Sequence, residues 1–203
     1  LKELKREGLW ENTIVILVAD HGESLGEHGE KTHVIFIYRA TTHVPLIIRY
    51  PKKLPRGLRI KERVSTVDIV PTLLDLLHLK TEASLDGKSL LPLIKGKNRS
   101  YSRTIYSEAF IPRSFNWSEL KGVREGEYFF IQAPTPELYK IKSGEKERKN
   151  LIQDYPQIAA AMEKKLLSLI KSGDNTKAEQ VVVTEDMIER LKSLGYFAGG
   201  GQG

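Results

Sequence analysis

Five consecutive positions, Ile14 to Val18, are β-branched or aliphatic, with Thr13 before them and Ala19-Asp20-His21-Gly22 after them. An unbroken apolar run of strand length predicts a strand over residues 13–19, buried on both faces of a parallel sheet. Val44–Tyr50 predicts a second strand. Leu1, Leu4 and Leu9, with Gly8 as a stop, predict the end of an amphipathic helix. Val67–Leu79 carries Leu73, Leu74, Leu76 and Leu77 at helical spacing, with Pro71 near the first turn. Asp86–Ile94 reads as a loop and a short helix. Residues 20–43, between the two strands, form a Gly- and His-rich loop with a helical turn near Val34–Arg39.

Past residue 100 the pattern changes to short apolar runs: Thr104–Ala109, Gly122–Arg124, Tyr128–Ala133 and Leu138–Ile141. Gly126, Pro134 and Pro136 punctuate them, which predicts an antiparallel sheet. Pro156–Ser172 predicts a helix with Ile158, Ala161, Met162, Leu166, Leu169 and Ile170 on its apolar face. Gly173–Lys177 reads as a linker, Thr184–Leu194 as a helix capped by Thr184, and Gly199–Gly203 as a frayed end. The expected division is an α/β unit over 1–100, an antiparallel-sheet subdomain with a helix over 101–175, and a helical tail over 176–203.

Composition narrows the chemistry. The chain has 203 residues, 40% hydrophobic and 29% charged, ordinary for a globular protein. It has no cysteine, so disulfides and thiolate metal sites are excluded. No apolar run approaches the roughly 18 residues of a membrane span. The net charge of +6 comes partly from a stretch around Lys52, Lys53, Arg56, Arg59, Lys61 and Arg63. That stretch lacks interleaved aromatics, so a nucleic-acid partner is not expected. Lys142–Lys149 mixes both signs and reads as a solvated turn. A mild positive field favours an anionic ligand.

Candidate chemistry concentrates in one place. Asp20 and His21 leave the carboxyl end of the first strand, the edge where ligands bind in open α/β sheets. A carboxylate and an imidazole followed by a glycine that lets the backbone turn could hold a metal; the same tripeptide also serves as a helix N-cap and turn. Further along lie Glu23, Ser24, His28, Lys31, His33, Tyr38 and His43. Glu23 and Ser24 are candidates for holding His21. His43 and His78 suit hydrogen-bonded structural positions, His28 a loop-shaping one, and Tyr38 packing.

Asp-His-Gly-Glu-Ser-Leu-Gly-Glu-His-Gly (20–29), followed by His33, Tyr38 and His43-Val-Pro-Leu-Ile-Ile48, closely resembles the sulfatases of the alkaline-phosphatase-like superfamily. Val64–Asp75, Asp86–Leu93, and Glu137-Leu138-Tyr139 with Asn150-Leu151 are similar to further segments of that family; Ile188–Tyr196 is similar to a tail on some members. The resemblance implies an α/β fold: the C-terminal part of an α/β/α sandwich plus a small α+β subdomain with an antiparallel sheet. It implies a divalent metal at Asp20 and His21. Many members carry Asn at the place of His21. Family habit favours calcium, while a nitrogen donor also suits zinc or manganese. His33 would contact the ester's anionic oxygens and act in catalysis, with Lys31 as a second cation for substrate binding.

The family's nucleophile is a formylglycine made from Cys- or Ser-x-Pro-x-Arg, and no such string occurs here. The only methionines are Met162 and Met187. The expectation is the C-terminal portion of a sulfatase-like hydrolase, inactive on its own, acting on a small-molecule or glycan sulfate ester with the N-terminal portion of the same protein. A phosphodiesterase or phosphotransferase of the same superfamily, and a non-catalytic metal-binding remnant, stand as alternatives.

Overall fold

In the computed structural model, which describes residues 1–96, 103–141 and 147–173 together with Glu185, Asp186 and Glu189, the first apolar run forms strand β1 (Val15–Val18). Its described partner is β2 (Leu46–Arg49), and the pairing is antiparallel, with Leu17 opposite Ile47. The expected parallel neighbours on both sides are not found among the described residues. Leu17 is 53% exposed and Ile47 60%. A continuous apolar run specifies a strand but not the direction of its partner.

The first helix, α1 (Lys2–Arg6), is shorter than expected, and the helical turn of the loop falls at α2 (Arg39–Thr42), just after the predicted stretch. Helix α3 (Ile69–Leu77) follows a 3₁₀ turn at Thr66–Asp68, with Ser65 and Asp68 forming a capping box. Asp68 is fully buried; it accepts the backbone N–H groups of Ser65 and Lys88 at 2.8 Å each and pairs with Arg103. Gly87 explains the tight return of the chain beneath this turn: a Cβ there would lie 1.9 Å from the Val67 carbonyl oxygen. Helix α4 (Leu91–Ile94) then packs Leu91 and Leu93 inward.

The second sheet is a simple antiparallel meander: β3 (Ile105–Ala109), β4 (Leu120–Glu125), β5 (Tyr128–Gln132) and β6 (Glu137–Lys140), in that order. Alternation along the strands gives it two apolar faces. One face, with Leu120, Phe129, Ile131, Tyr139 and Ile141, is covered by Ile37 and Tyr38 from the long loop. The other, with Val123, Phe130 and Leu138, is covered by helix α5 (Pro156–Gly173) through Ala159, Met162 and Leu166. The apolar stripe of α5 is thus narrower than its sequence suggests. Ala159 rather than Ala161 faces the sheet, and Leu169 is 37% exposed. Glu147 is buried, not solvated as the mixed-charge stretch implies, and pairs with Arg124 at 3.2 Å. Most of the expected 184–194 helix and the chain's end lie outside the described residues.

Candidate active site

Strand β1 ends by delivering Asp20 and His21 to the mouth of a cleft of about 370 Å³. The next residue holds them there. Gly22 N–H donates to the Thr41 carbonyl at 2.7 Å, and a Cβ on Gly22 would sit 2.1 Å from the Ala40 oxygen. The glycine is needed for close approach to α2 rather than for a turn alone. Asp20 Oδ1 accepts the His21 backbone N–H at 2.9 Å.

The His21 ring is fixed by its other nitrogen. Nδ1 lies 2.9 Å from the Gly22 carbonyl oxygen, which can only accept, so Nδ1 carries the proton. In the neutral ring Nε2 is then the lone-pair donor, 3.6 Å from Asp20 Oδ2. A backbone carbonyl behind a histidine is the arrangement that orients metal-bound imidazoles. An oxygen and a nitrogen donor at this separation fit a single divalent cation. Among the described residues no group of three or more His, Cys, Asp or Glu side chains gathers to complete such a shell.

His33 joins the same cleft from the loop's far side. Its ring stacks on His21 with centroids 3.9 Å apart and planes 16° from parallel. His33 Nδ1 donates to Glu23 Oε2 at 2.9 Å. Glu23 therefore holds His33 rather than His21, and Ser24 instead donates to the Glu27 carbonyl at 3.1 Å. Lys31 is exposed and does not line the cleft.

Sequence patterning missed the residue that shapes this loop. Glu30 is buried, and its carboxylate accepts three backbone N–H groups, from Val34, Ile35 and Phe36, at 3.0, 2.7 and 3.1 Å. Successive amides converging on one anion form a nest, and this one folds the segment that carries His33. Beside Lys31 in a polar stretch, Glu30 gives no sequence signal that distinguishes it from a solvated charge.

The remaining candidates make packing and hydrogen-bond contacts, His43 from a position that also lines the cleft. His28 has φ +55° and stacks on Tyr38 at 3.7 Å between centroids. Tyr38 and Tyr139 both donate to Glu137 Oε2, at 2.8 and 2.9 Å, which fastens the loop to β6. Burial, reinforced by the Glu137 carboxylate, raises both phenols well above their ordinary range, so they stay protonated donors. His43 accepts from Arg39 at 3.3 Å; partial burial and the Arg39 and Arg124 charges lower its pKa. His78, also at positive φ, closes α3.

Comparison with known proteins places this geometry in context. Residues 26–172 match the family model for the C-terminal region of N-sulphoglucosamine sulphohydrolase. Arylsulfatase K of Bos taurus is 28% identical over 95% of this chain and 37% of its own length. A delta 4,5-hexuronate-2-O-sulfatase of Bacteroides thetaiotaomicron is 32% identical over 79% of this chain and 35% of its own length. Among solved structures, the phosphonate monoester hydrolase of Agrobacterium radiobacter superposes with a TM-score of 0.71 at 28% identity, covering 84% of this chain and 37% of that one. A protein solved with its substrate D-glucosamine-2-N,6-O-disulfate gives 0.69 at 25% identity, over 89% of this chain and 39% of its own. The chain thus spans little more than a third of the length of these relatives. The family match covers well over half of the chain, including the loop that carries His33, and on that basis the chain belongs to the sulfatase family, corresponding to its N-sulphoglucosamine sulphohydrolase C-terminal region.

Proposed function

We propose that this chain forms the C-terminal part of a metal-dependent sulfuric ester hydrolase and contributes half of its active site. The observation that supports this reading most is the convergence of Asp20, His21 and His33 on one cleft, with both rings oriented through their Nδ1 atoms. Asp20 and His21 Nε2 would hold a divalent cation, calcium by family habit, with zinc or manganese suited to the nitrogen donor. When bound, such a cation polarises the ester oxygens and offsets charge on nucleophile and leaving group. His33, its Nδ1–H held by Glu23, would as an imidazolium present Nε2–H to the ester's anionic oxygens and offset the charge that grows as the S–O bond breaks. Lys31 would add a second positive charge at the loop's surface. The nucleophile, a formylglycine, would come from the N-terminal portion of a longer protein.

The test uses that longer protein and an aryl sulfate. Asp20→Ala should lose most bound metal, measured by elemental analysis, and turnover with it; unchanged metal content would sink the metal assignment. His33→Ala should keep its metal and lower kcat/KM by about 10²–10⁴-fold, the range for a positioned acid or charge stabiliser. His33→Lys should recover part of that rate. If His28→Ala proves inactive while His33→Ala does not, the roles of the two histidines are reversed.

The likeness to a phosphonate monoester hydrolase favours one second reading, hydrolysis of a phosphorus ester by the same half-site. A kcat/KM ratio on phenyl phosphonate against aryl sulfate that exceeds one would select it.

A further inference from the structure

A second, larger cleft of about 660 Å³ adjoins the first and shares a wall with it that includes Thr42, His43, Val44, Leu46 and Ser107. Its lining is strongly basic. Arg39 comes from α2, Arg63 from the segment after the exposed basic loop, and Arg124 from β4. The guanidinium of Arg124 lies 3.7 Å from the centre of the Phe129 ring and bonds Glu147 and Thr42, each at 3.2 Å. Arg63 donates to the carbonyl oxygens of Gly126 and of Ile141, the latter at 3.0 Å. Arg39 donates to His43. Each head is held in place while its remaining N–H donors stay available.

Charge in this cleft is not balanced. Lys61 and Arg103 add to the basic lining, against one lining carboxylate, Glu62, which accepts the Lys61 backbone N–H at 3.1 Å. Among the described residues Glu147 pairs with the Arg124 guanidinium, and the guanidinium groups of Arg39 and Arg63 bond His43 and backbone carbonyls instead. Burial lowers the pKa of Arg124 to about 10, with Arg63 and Arg39 pushing the same way against Glu147. Arg124 therefore remains cationic at neutral pH. Like charges gathered around a partly water-excluded space favour an anion placed between them.

We propose that the Arg39–Arg63–Arg124 cleft is a second oxyanion site that takes a sulfate or carboxylate group. Because it shares a wall with the first cleft, a ligand seated by one group near His33 can extend another anionic group into it. The site itself does not depend on ester hydrolysis; only the assignment of its anion to the substrate rests on the function proposed above.

The test is a titration of this chain with sodium sulfate at low ionic strength, without metal, followed by calorimetry and backbone amide shifts. Saturable binding should perturb residues 39–44 and 61–64. The double variant Arg39→Gln/Arg63→Gln should bind at least tenfold more weakly while keeping the wild-type thermal transition. Arg56→Gln/Arg59→Gln removes the same charge from the exposed loop and should bind like wild type. Equal weakening in both double variants would reduce the effect to net charge and overturn the site, as would unaltered binding in Arg39→Gln/Arg63→Gln. Loss of sulfate binding in the longer protein would mean that an acidic segment fills the cleft, which also overturns it.

Two saccharides distinguish the source of the anion. Tighter binding of D-glucosamine-2-N,6-O-disulfate than of D-glucosamine-6-O-sulfate, lost in Arg39→Gln/Arg63→Gln, assigns the site to a second group on the substrate. Equal binding of the two saccharides, with sulfate binding intact, assigns it to a free anion. None of these readouts requires turnover, so failure of the hydrolase reading would leave them unchanged.

Discussion

The two sheets of this molecule are both antiparallel and both carry apolar residues on two faces, yet only one of them is closed. In the four-stranded sheet Val123, Phe129 and Leu138 are fully buried, because Ile37 and Tyr38 cover one face and α5 the other. In the β1–β2 pair, Leu17, Val18 and Ile47 remain exposed. The candidate active site grows from the open pair, while the loop that completes it is anchored on the closed sheet. Tyr38 and Tyr139 meet on Glu137, and Glu147 accepts the Arg39 backbone N–H at 2.8 Å. The best-packed core and the candidate chemistry therefore lie in different regions, linked by the loop through the apolar cover of Ile37 and Tyr38 and a few polar contacts.

The contrast is sharpest in core truncations. Phe129→Ala should destabilise this chain by about 3–5 kcal/mol, since it removes a fully buried ring from between the loop and the sheet. Ile47→Ala, at a position 60% exposed, should cost less than about 1 kcal/mol. Urea unfolding followed by circular dichroism compares the two. Equal losses would mean that β1–β2 is as closed as the larger sheet. Ile47→Ser should also lower binding of an apolar dye, because the exposed pair is the surface such a dye would use.

Sequence periodicity captured the closed region well. Each of the four strands and α5 appears where alternation or helical spacing indicates, because both faces of that sheet find their cover within the chain. It captured the direction of β1's pairing poorly, because a run with no polar side is compatible with several neighbours. It placed the helical turn of the loop a few residues early, and it put Ala161 on the inner face of α5, where a one-sided list of apolar residues cannot set the helix's rotation. The convergence of Asp20, His21 and His33 was legible as a cluster in sequence. What was not legible was how they are held. Glu23 binds the other histidine, Glu30 acts through backbone amides that exist only once the loop is folded, and Glu137 lies 99 residues from Tyr38.

Glu30 is the place to test whether the loop depends on that anchoring. Glu30→Gln removes the negative charge from a site that collects three backbone donors, and a carboxamide offers them a single oxygen. Charge-assisted bonds of this kind are each worth about 1.5–3 kcal/mol, and partial rescue by the amide oxygen should hold the net loss near 2 kcal/mol. Amide hydrogen exchange at Val34, Ile35 and Phe36 should accelerate, and the His21–His33 stack should loosen. Exchange in β4 and β5 should not change. If protection falls across both sheets equally, the loop and the closed sheet unfold as one unit and the division between them does not hold.

The smallest expected effect lies on the closed side, where α5 is tied to β4 by Lys165 and Glu125. The hydrogen bond from Lys165 lowers the Glu125 carboxyl pKa, against the opposing effect of burial. A carboxylate whose folded pKa lies below its unfolded value contributes stability above the unfolded pKa and loses it as pH falls through the folded one. The contribution should therefore be complete at neutral pH and disappear below about pH 4, the ordinary range for a glutamate. Both side chains are more than a third exposed, so solvent screening keeps the pair within about 0.2–1 kcal/mol. Lys165→Met preserves the aliphatic stem and removes the charge. Its thermal midpoint should fall by a few degrees at most at pH 7 and converge on wild type in acid. A deficit that persisted at pH 3 would mean that Lys165 supports α5 by packing rather than by charge. The helix would then be held on the sheet by apolar contacts, those of Met162, Leu166 and the aliphatic stem of Lys165.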